Sequence, residues 1–154
     1  MEKMIKKILV PLDGSKPSEE ALDLALDLAE KYSAKVLLLS VVPATVYPDP
    51  FIAPTTPSPL IHPAATDSYA RKLRAGVLSE AIKKAKVKLD VSAKLVRGTP
   101  AEKIIQTARE ESFDVIVMGS RGLAGIKKFF LGSISDRVAK EAPCPVFIAK
   151  WFWR

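Results

Sequence analysis

The sequence predicts an α/β fold built on a five-stranded parallel sheet with helices on both faces. Three observations carry that expectation. Short apolar runs rich in β-branched residues recur at Ile8–Val10, Val36–Val42, Val115–Met118 and Val146–Ile148. Runs of this length and continuity read as strands covered on both faces. Segments with apolar residues at helical spacing separate them, and Gly, Pro, Asp and Ser gather at the junctions, where strand-to-helix turns use them. Alternation of strand and helix implies parallel strands joined by crossover helices.

The elements follow in order. Ile5–Pro11 is the first strand, and Asp13-Gly14-Ser15 ends it with turn chemistry. Ser15 or Ser18 caps the first helix, with Pro17 in its first turn and Glu19 and Glu20 at its positive end. Ala21, Leu22, Ala25, Leu28, Ala29 and Tyr32 keep helical spacing, and Ala34–Val42 is the second strand. Prolines at 43, 48, 50, 54, 57, 59 and 63 exclude helix and central strand over about 43–66. A loop this long in a small domain is functional or disordered. Its His62, the only histidine, reads as a solvated bystander.

A second helix is expected from Asp67 to about Leu89, with Tyr69, Leu73, Val77, Leu78, Ala81, Ile82 and Ala85 as its apolar stripe. Val91–Val96 is the third strand, with one exposed face. Thr99 caps a third helix that starts at Pro100 and buries Ala101, Ile104, Ile105 and Ala108. Val115–Met118 is the fourth strand. The fourth helix spans about Ser133 to Glu141 and turns Ile134, Val138 and Ala139 inward; Pro143-Cys144-Pro145 stops it before the last strand, Val146–Ala149.

Five strands in this alternation suggest the doubly wound order 3-2-1-4-5, Rossmann-like or flavodoxin-like. Strands one and four are then neighbours, the winding reverses between them, and ligands bind beyond the carboxyl ends of strands at such a point. The Asp13 turn and the segment after Gly119 thus share one crevice.

That segment carries glycines at 119, 122, 125 and 132 between a buried strand and a helix start. Strand, glycine-rich loop and helix N-terminus form the layout that cradles phosphate, since glycine lets backbone approach and the helix start favours an anion. A plain surface loop with flexible glycines is the alternative. Neither G-x-x-x-x-G-K-[ST] nor G-x-G-x-x-G occurs. Arg121, Lys127 and Lys128 lie inside the loop, where they can screen negative charge.

Composition bounds the rest. The 154 residues, 48% of them hydrophobic, make one domain over 1–154 with enough chain for a core. No apolar run is long enough to span a bilayer and no signal-peptide pattern opens the chain, so a cytoplasmic protein without membrane contact is expected. The single cysteine excludes an internal disulfide and a cysteine-cluster metal site; between two prolines, Cys144 reads as a small packed residue. The net charge of +7 comes largely from lysines spread over helix faces. No basic, aromatic-rich strand offers base stacking, so nucleic acid is not the expected partner. The chain has no Ser-x-x-Lys, no G-x-S-x-G and no H-E-x-x-H. With no residue standing out as a base to activate water, the crevice reads as a binding site rather than an enzyme active site.

Gly119-x-x-Gly122, nine residues, then Gly132-Ser133 resembles the G-2x-G-9x-G-[ST] signature of the ATP-binding branch of the universal stress protein family. The start Ile8-Leu9-Val10-Pro11-Leu12-Asp13-Gly14-Ser15 and the end Pro143-Cys144-Pro145-Val146-Phe147-Ile148 are similar to it too, so the resemblance covers nearly the whole chain. It implies ATP, with Mg2+ or Mn2+, as ligand. Implied nucleotide contacts are Pro11, Asp13, Val41 (adenine against backbone), Met118, Gly119, Gly122, Gly132, Ser133, Ile134 and Ser135. Asp13 reads from its own position either as a turn residue bonding nearby N–H groups or as a carboxylate facing the crevice, at the ribose or base or at a divalent metal by the phosphates; the resemblance carries it over as a nucleotide contact. Gly98 matches the family's glycine after the third strand and is the weaker assignment. The resemblance also implies a homodimer through Val146–Ala149, an apolar edge that invites pairing; the alternative is that Trp151, Phe152 and Trp153 fold back over their own core. The implied function is a nucleotide-dependent regulatory or sensing module in stress response, with at most slow ATP hydrolysis or phosphate transfer. A nucleotide-free interaction module acting through the last strand and the proline-rich loop, a nucleic-acid binder and a flavin or other small-cofactor binder remain open at this point.

Overall fold

The computed structural model describes residues 4–44, 63–85, 89–120 and 131–150. In chain order the elements are β1 (Lys7–Pro11), α1 (Lys16–Tyr32), β2 (Lys35–Pro43), α2 (Pro63–Lys84), β3 (Val91–Gly98), α3 (Pro100–Glu110), β4 (Val115–Gly119), α4 (Ser133–Glu141) and β5 (Val146–Ala149). The strands form one sheet in the order β3-β2-β1-β4-β5, every pair parallel. The predicted fold class and strand order are therefore observed.

Right-handed crossovers explain the layering. The chain steps from β1 to β2 to β3 in one direction, which puts α1 and α2 on one face. It then crosses back to β4 and on to β5, which puts α3 and α4 on the other. Two apolar cores result. Ile8, Val10, Val36, Leu38, Val115 and Val117 face α1 and α2, whereas Leu9, Leu37, Leu39, Ile116 and Met118 face α3 and α4. Ile8, Leu9 and Val10 are all wholly buried, so β1 is apolar at every position rather than at every second one.

Several boundaries and faces differ from the sequence expectations. β2 runs on to Pro43 and β3 to Gly98. α2 starts at Pro63, inside the stretch expected to be loop, and ends at Lys84, because proline is tolerated in a first helical turn where its missing N–H has no partner to lose. Tyr69, Leu73 and Ile82 of its expected apolar stripe are exposed at 65%, 54% and 46%. α2 lies over the β2–β3 edge of the sheet and rests there on a narrow strip, Leu78 and Ala81, flanked by Val77 and Ala85. Ser15 rather than Ser18 caps α1, its Oγ accepting the Ser18 N–H at 3.3 Å. Thr99 holds the cap position of α3 without a side-chain cap bond. In α4, Ile134 and Ala139 face outward, while Val138 and Ser135 are buried. His62, most of the proline-rich stretch and the Trp151–Arg154 tail lie outside the described residues.

The amino-terminal end of the sheet is pinned by one carboxylate. Asp114 Oδ2 accepts the N–H groups of Lys6 and Lys7, each at 2.8 Å, and the Asp114 N–H returns a bond to the Lys7 carbonyl at 3.0 Å. The Lys7 ammonium lies 4.6 Å from the centre of the Phe113 ring and donates to the Glu111 carbonyl. Asp114→Ala leaves the Lys6 and Lys7 N–H groups without their acceptor and is expected to cost about 1–2 kcal/mol; urea denaturation measures the loss as a lower midpoint at unchanged slope.

Candidate functional site at the β1–β4 switch point

Four chain segments meet at the carboxyl end of the sheet, where the winding reverses. The first is the exit from β1. Pro11 pairs in register with Leu39, the Leu12 N–H donates to the Leu39 carbonyl at 2.8 Å, and the Ser40 hydroxyl donates to the Leu12 carbonyl at 2.7 Å. The chain then turns sharply. Asp13 Oδ1 accepts the Ser15 N–H at 2.9 Å, a turn closed by the residue's own side chain. Gly14 adopts φ +86°, and a Cβ there would fall 2.9 Å from Val77 Cγ2. Position 14 therefore needs glycine on both counts. From α2, Arg74 Nη1 donates to the Asp13 carbonyl at 2.7 Å.

The second segment is the end of β2. The Lys35 N–H and the Leu39 carbonyl bond to the β1 side, whereas the Val36 and Ala44 N–H groups bond to the β3 side. Alternation therefore turns the Val41 N–H and carbonyl toward β1, past the point where β1 has ended. The Val41 side chain is buried against α3 and α4. Val41 thus presents one backbone donor and one acceptor at the crevice.

The third is the end of β4. Met118 is buried in the same core as Val41. At Gly119 a Cβ would lie 2.7 Å from the Pro17 carbonyl carbon and 2.8 Å from both Pro17 Cβ and its carbonyl oxygen. The room at position 119 is therefore taken by the first turn of α1. Ser120 follows, nearly buried, and donates its N–H to the Ala149 carbonyl of β5 at 3.1 Å.

The fourth is the start of α4. The Gly132 N–H donates to the Ser120 carbonyl at 2.8 Å, and the Ser135 hydroxyl donates to the same carbonyl at 2.8 Å. One carbonyl thus joins the end of β4 to the first turn of α4. The Ser135 hydroxyl also lies 3.1 Å from the Gly132 carbonyl, so both residues are tied into the start of the helix. Gly132, at φ −63° and ψ 156°, has no side chain to cap the helix. The first-turn N–H groups of Ser133, Ile134 and Ser135 have no partner within α4, and the helix dipole makes this a positive end. Ser133 and Ile134 are exposed there.

Pro11, Asp13, Val41, Met118, Gly119, Gly132, Ser133, Ile134 and Ser135 therefore lie at the carboxyl ends of β1, β2 and β4 or in the first turn of α4. Gly122, Arg121, Lys127 and Lys128 lie outside the described residues. Gly98 stands across the sheet at the end of β3, with φ +149° and Lys103 Cε 2.6 Å from where a Cβ would be; backbone geometry accounts for that glycine. Sequence reasoning missed Ser120, which acts through its backbone and leaves no compositional trace. Ser40 did leave one, as the only polar residue inside the Val36–Val42 run.

The donor set suits an anion and a flat heterocycle. Among the described residues, no group of three His, Cys, Asp or Glu side chains could hold a metal, so a divalent cation here would need oxygens from its ligand as well as from Asp13. Cys144 is half-buried; burial and, after it, the charge of Asp114 push its thiol up, which suits packing rather than nucleophilic attack. Among the described residues no helix is long and apolar enough to cross a membrane.

Comparison with known proteins gives one consistent result. A model of the family described as "Universal stress protein family" matches residues 4–150. A universal stress protein of Methanocaldococcus jannaschii is 32% identical, the match covering 97% of this chain and 84% of that one. One of Bacillus subtilis is 34% identical over 96% of this chain and all of its own length. Among solved structures, a universal stress protein crystallised in complex with cAMP is 25% identical, with a TM-score of 0.65 over 95% of this chain and 97% of that one.

Proposed function

Because the chain belongs to the universal stress protein family, we propose that its switch-point crevice binds ATP and makes it a nucleotide-dependent regulatory or sensing module. The observation that carries this reading is the pairing of a helix start without a side-chain cap, at Ser133 and Ile134, with a Val41 backbone donor and acceptor that face the β1 side beyond the end of that strand. The first suits phosphate. The second suits adenine, whose exocyclic N6 donor lies beside a ring-nitrogen acceptor. The structure solved with cAMP, also an adenine nucleotide, supports the same ligand class.

The chain's residues divide the work. Val41 orients the base. The N–H groups of Ser133 and Ile134, with the Ser133 hydroxyl, bind phosphate oxygens. Gly132 and Ser135 hold the helix start in place through the Ser120 carbonyl. Asp13 stands at the ribose or at a Mg2+ or Mn2+ ion that the phosphates also ligate; such an ion supplies charge compensation, and one carboxylate plus phosphate oxygens is an ordinary set for it. Any hydrolysis is slow: turnover of about 1 per second or faster would refute that part of the reading. A cytoplasmic location goes with a nucleotide ligand.

The test is the nucleotide content of freshly purified, denatured protein, followed by calorimetric titration with ATP and GTP in the presence of Mg2+. Co-purified ATP, or a preference for ATP, supports the reading; neither nucleotide nor binding overturns it. A nucleotide-free interaction module would then take its place. One observation speaks for protein contact in either case: Phe147 is 45% exposed on the edge strand β5, and an apolar unpaired edge recruits a partner. A homodimer through Val146–Ala149 belongs to this proposal. Phe147→Glu is expected to shift the chain to a monomer in size-exclusion with light scattering; an unchanged dimer would move the interface elsewhere.

A further inference from the structure

We propose that Arg74, on α2 and outside the nucleotide contacts named above, is a positioning residue for the Asp13 turn, so that nucleotide affinity depends on its bond to the Asp13 carbonyl. The inference rests on the nucleotide reading of the crevice. Arg74 Nη1 donates to the Asp13 carbonyl at 2.7 Å from a half-buried position. Val77, three residues on and on the same helix face, sits against Gly14, where a Cβ would be 2.9 Å from Val77 Cγ2. α2 therefore holds both residues of one tight turn, one through a charged donor and the next through an apolar contact. That turn carries the Asp13 carboxylate, which Ser15 holds from the α1 side.

Among the described residues, little else ties the first half of α2 to the sheet. Its buried residues, Leu78 and Ala81, fall in the second half, and Tyr69 and Leu73 are exposed. Asp67 pairs with Arg97 of β3 at 3.6 Å and with Arg71 of its own helix at 3.0 Å. The arginine side chains there are about half exposed, at 45% and 52%, against 21% for Asp67, so water screens these pairs from the arginine side and weakens them. A bond from a guanidinium to a half-buried carbonyl is the stronger kind. It reaches across 61 residues of sequence, so the helix that follows the proline-rich stretch reports directly on the turn after β1.

The full chain is titrated by calorimetry with adenosine and with Mg-ATP as native protein, Arg74→Ala, Arg74→Lys and Asp67→Ala. Amide exchange at Ser15 is followed in the same four proteins without ligand. Arg74→Ala is expected to weaken both ligands by the same factor, roughly tenfold or more, and to speed exchange at the Ser15 N–H about tenfold. Arg74→Lys, which still brings a charged donor to the carbonyl, recovers most of both effects. Asp67→Ala, which removes both of its arginine pairs and leaves the Arg74 bond in place, stays within about twofold of native protein. Native affinity in Arg74→Ala overturns the proposal. So does a loss that grows from adenosine to ATP, which marks direct charge contact with phosphate, and so does an equal loss in Asp67→Ala, which marks α2 docking in general. Unchanged Ser15 exchange in Arg74→Ala overturns it whether or not nucleotide binds. If the native chain binds neither ligand, the nucleotide reading fails by itself and the exchange result decides the role of Arg74.

Discussion

Ser133→Pro is expected to bind ATP ten- to hundredfold more weakly than the native chain while melting within a few degrees of it. Position 133 is the first residue of α4, and proline is favoured there because its N–H has no intrahelical partner to lose. The residue before it also fits: Gly132 already holds φ −63° and ψ 156°, the region that a following proline prefers. The helix therefore loses nothing it uses. A bound phosphate loses one charge-assisted bond, about 1.5–3 kcal/mol, which is a ten- to hundredfold change in affinity. Ser133→Ala removes only the hydroxyl and serves as the reference. Calorimetry and thermal melts on the three proteins decide the matter: equal affinity in the proline and alanine variants would remove the Ser133 N–H from the phosphate site.

Gly119→Ala is expected to cost about 2–3 kcal/mol, because the added methyl overpacks a site that cannot yield. For a chain of this size that lowers the melting temperature by roughly 5–10 °C. The new Cβ would meet the Pro17 carbonyl carbon at 2.7 Å and the Pro17 Cβ and carbonyl oxygen at 2.8 Å. Two of those atoms are backbone and the third belongs to a rigid ring, so no rotamer change relieves the clash. α1 is held in place on both sides of Pro17, by the Ser15 cap and by buried Ala21 and Leu22. β4 cannot retreat either, with Ile116 and Val117 wholly buried. Any shift of the strand end passes to Ser120, so ATP affinity falls with stability. A denaturation midpoint equal to that of native protein would mean that α1 and β4 part freely.

The fold is legible in the sequence where burial is complete. Ile8-Leu9-Val10 and Val115–Met118 stand out because successive side chains enter two different cores, which leaves no polar position in the run. The start of α4 at Ser133 and the limits of β5 follow from local chemistry, a glycine before the one and Pro145 before the other. Faces are harder to read than elements. Periodicity alone turns Ile134 inward, yet the Ser120 carbonyl draws the Ser135 hydroxyl in and rotates Ile134 out. Periodicity likewise groups Tyr69 and Leu73 with Leu78, although the sheet edge beneath α2 shelters only the last. At the site, Asp13 and Gly132 are visible as turn and cap residues. Their partners Arg74 and Ser120 are not, because a bond between Arg74 and a carbonyl 61 positions earlier has no local signature.

The bonds at Ser120 have a consequence for the rigidity of the crevice. Its carbonyl receives the Gly132 N–H and the Ser135 hydroxyl, while its own N–H donates to the Ala149 carbonyl of β5. A single residue thus rivets β4, β5 and the first turn of α4 together. The positive end of that helix cannot swing away from the sheet without breaking both bonds to the Ser120 carbonyl.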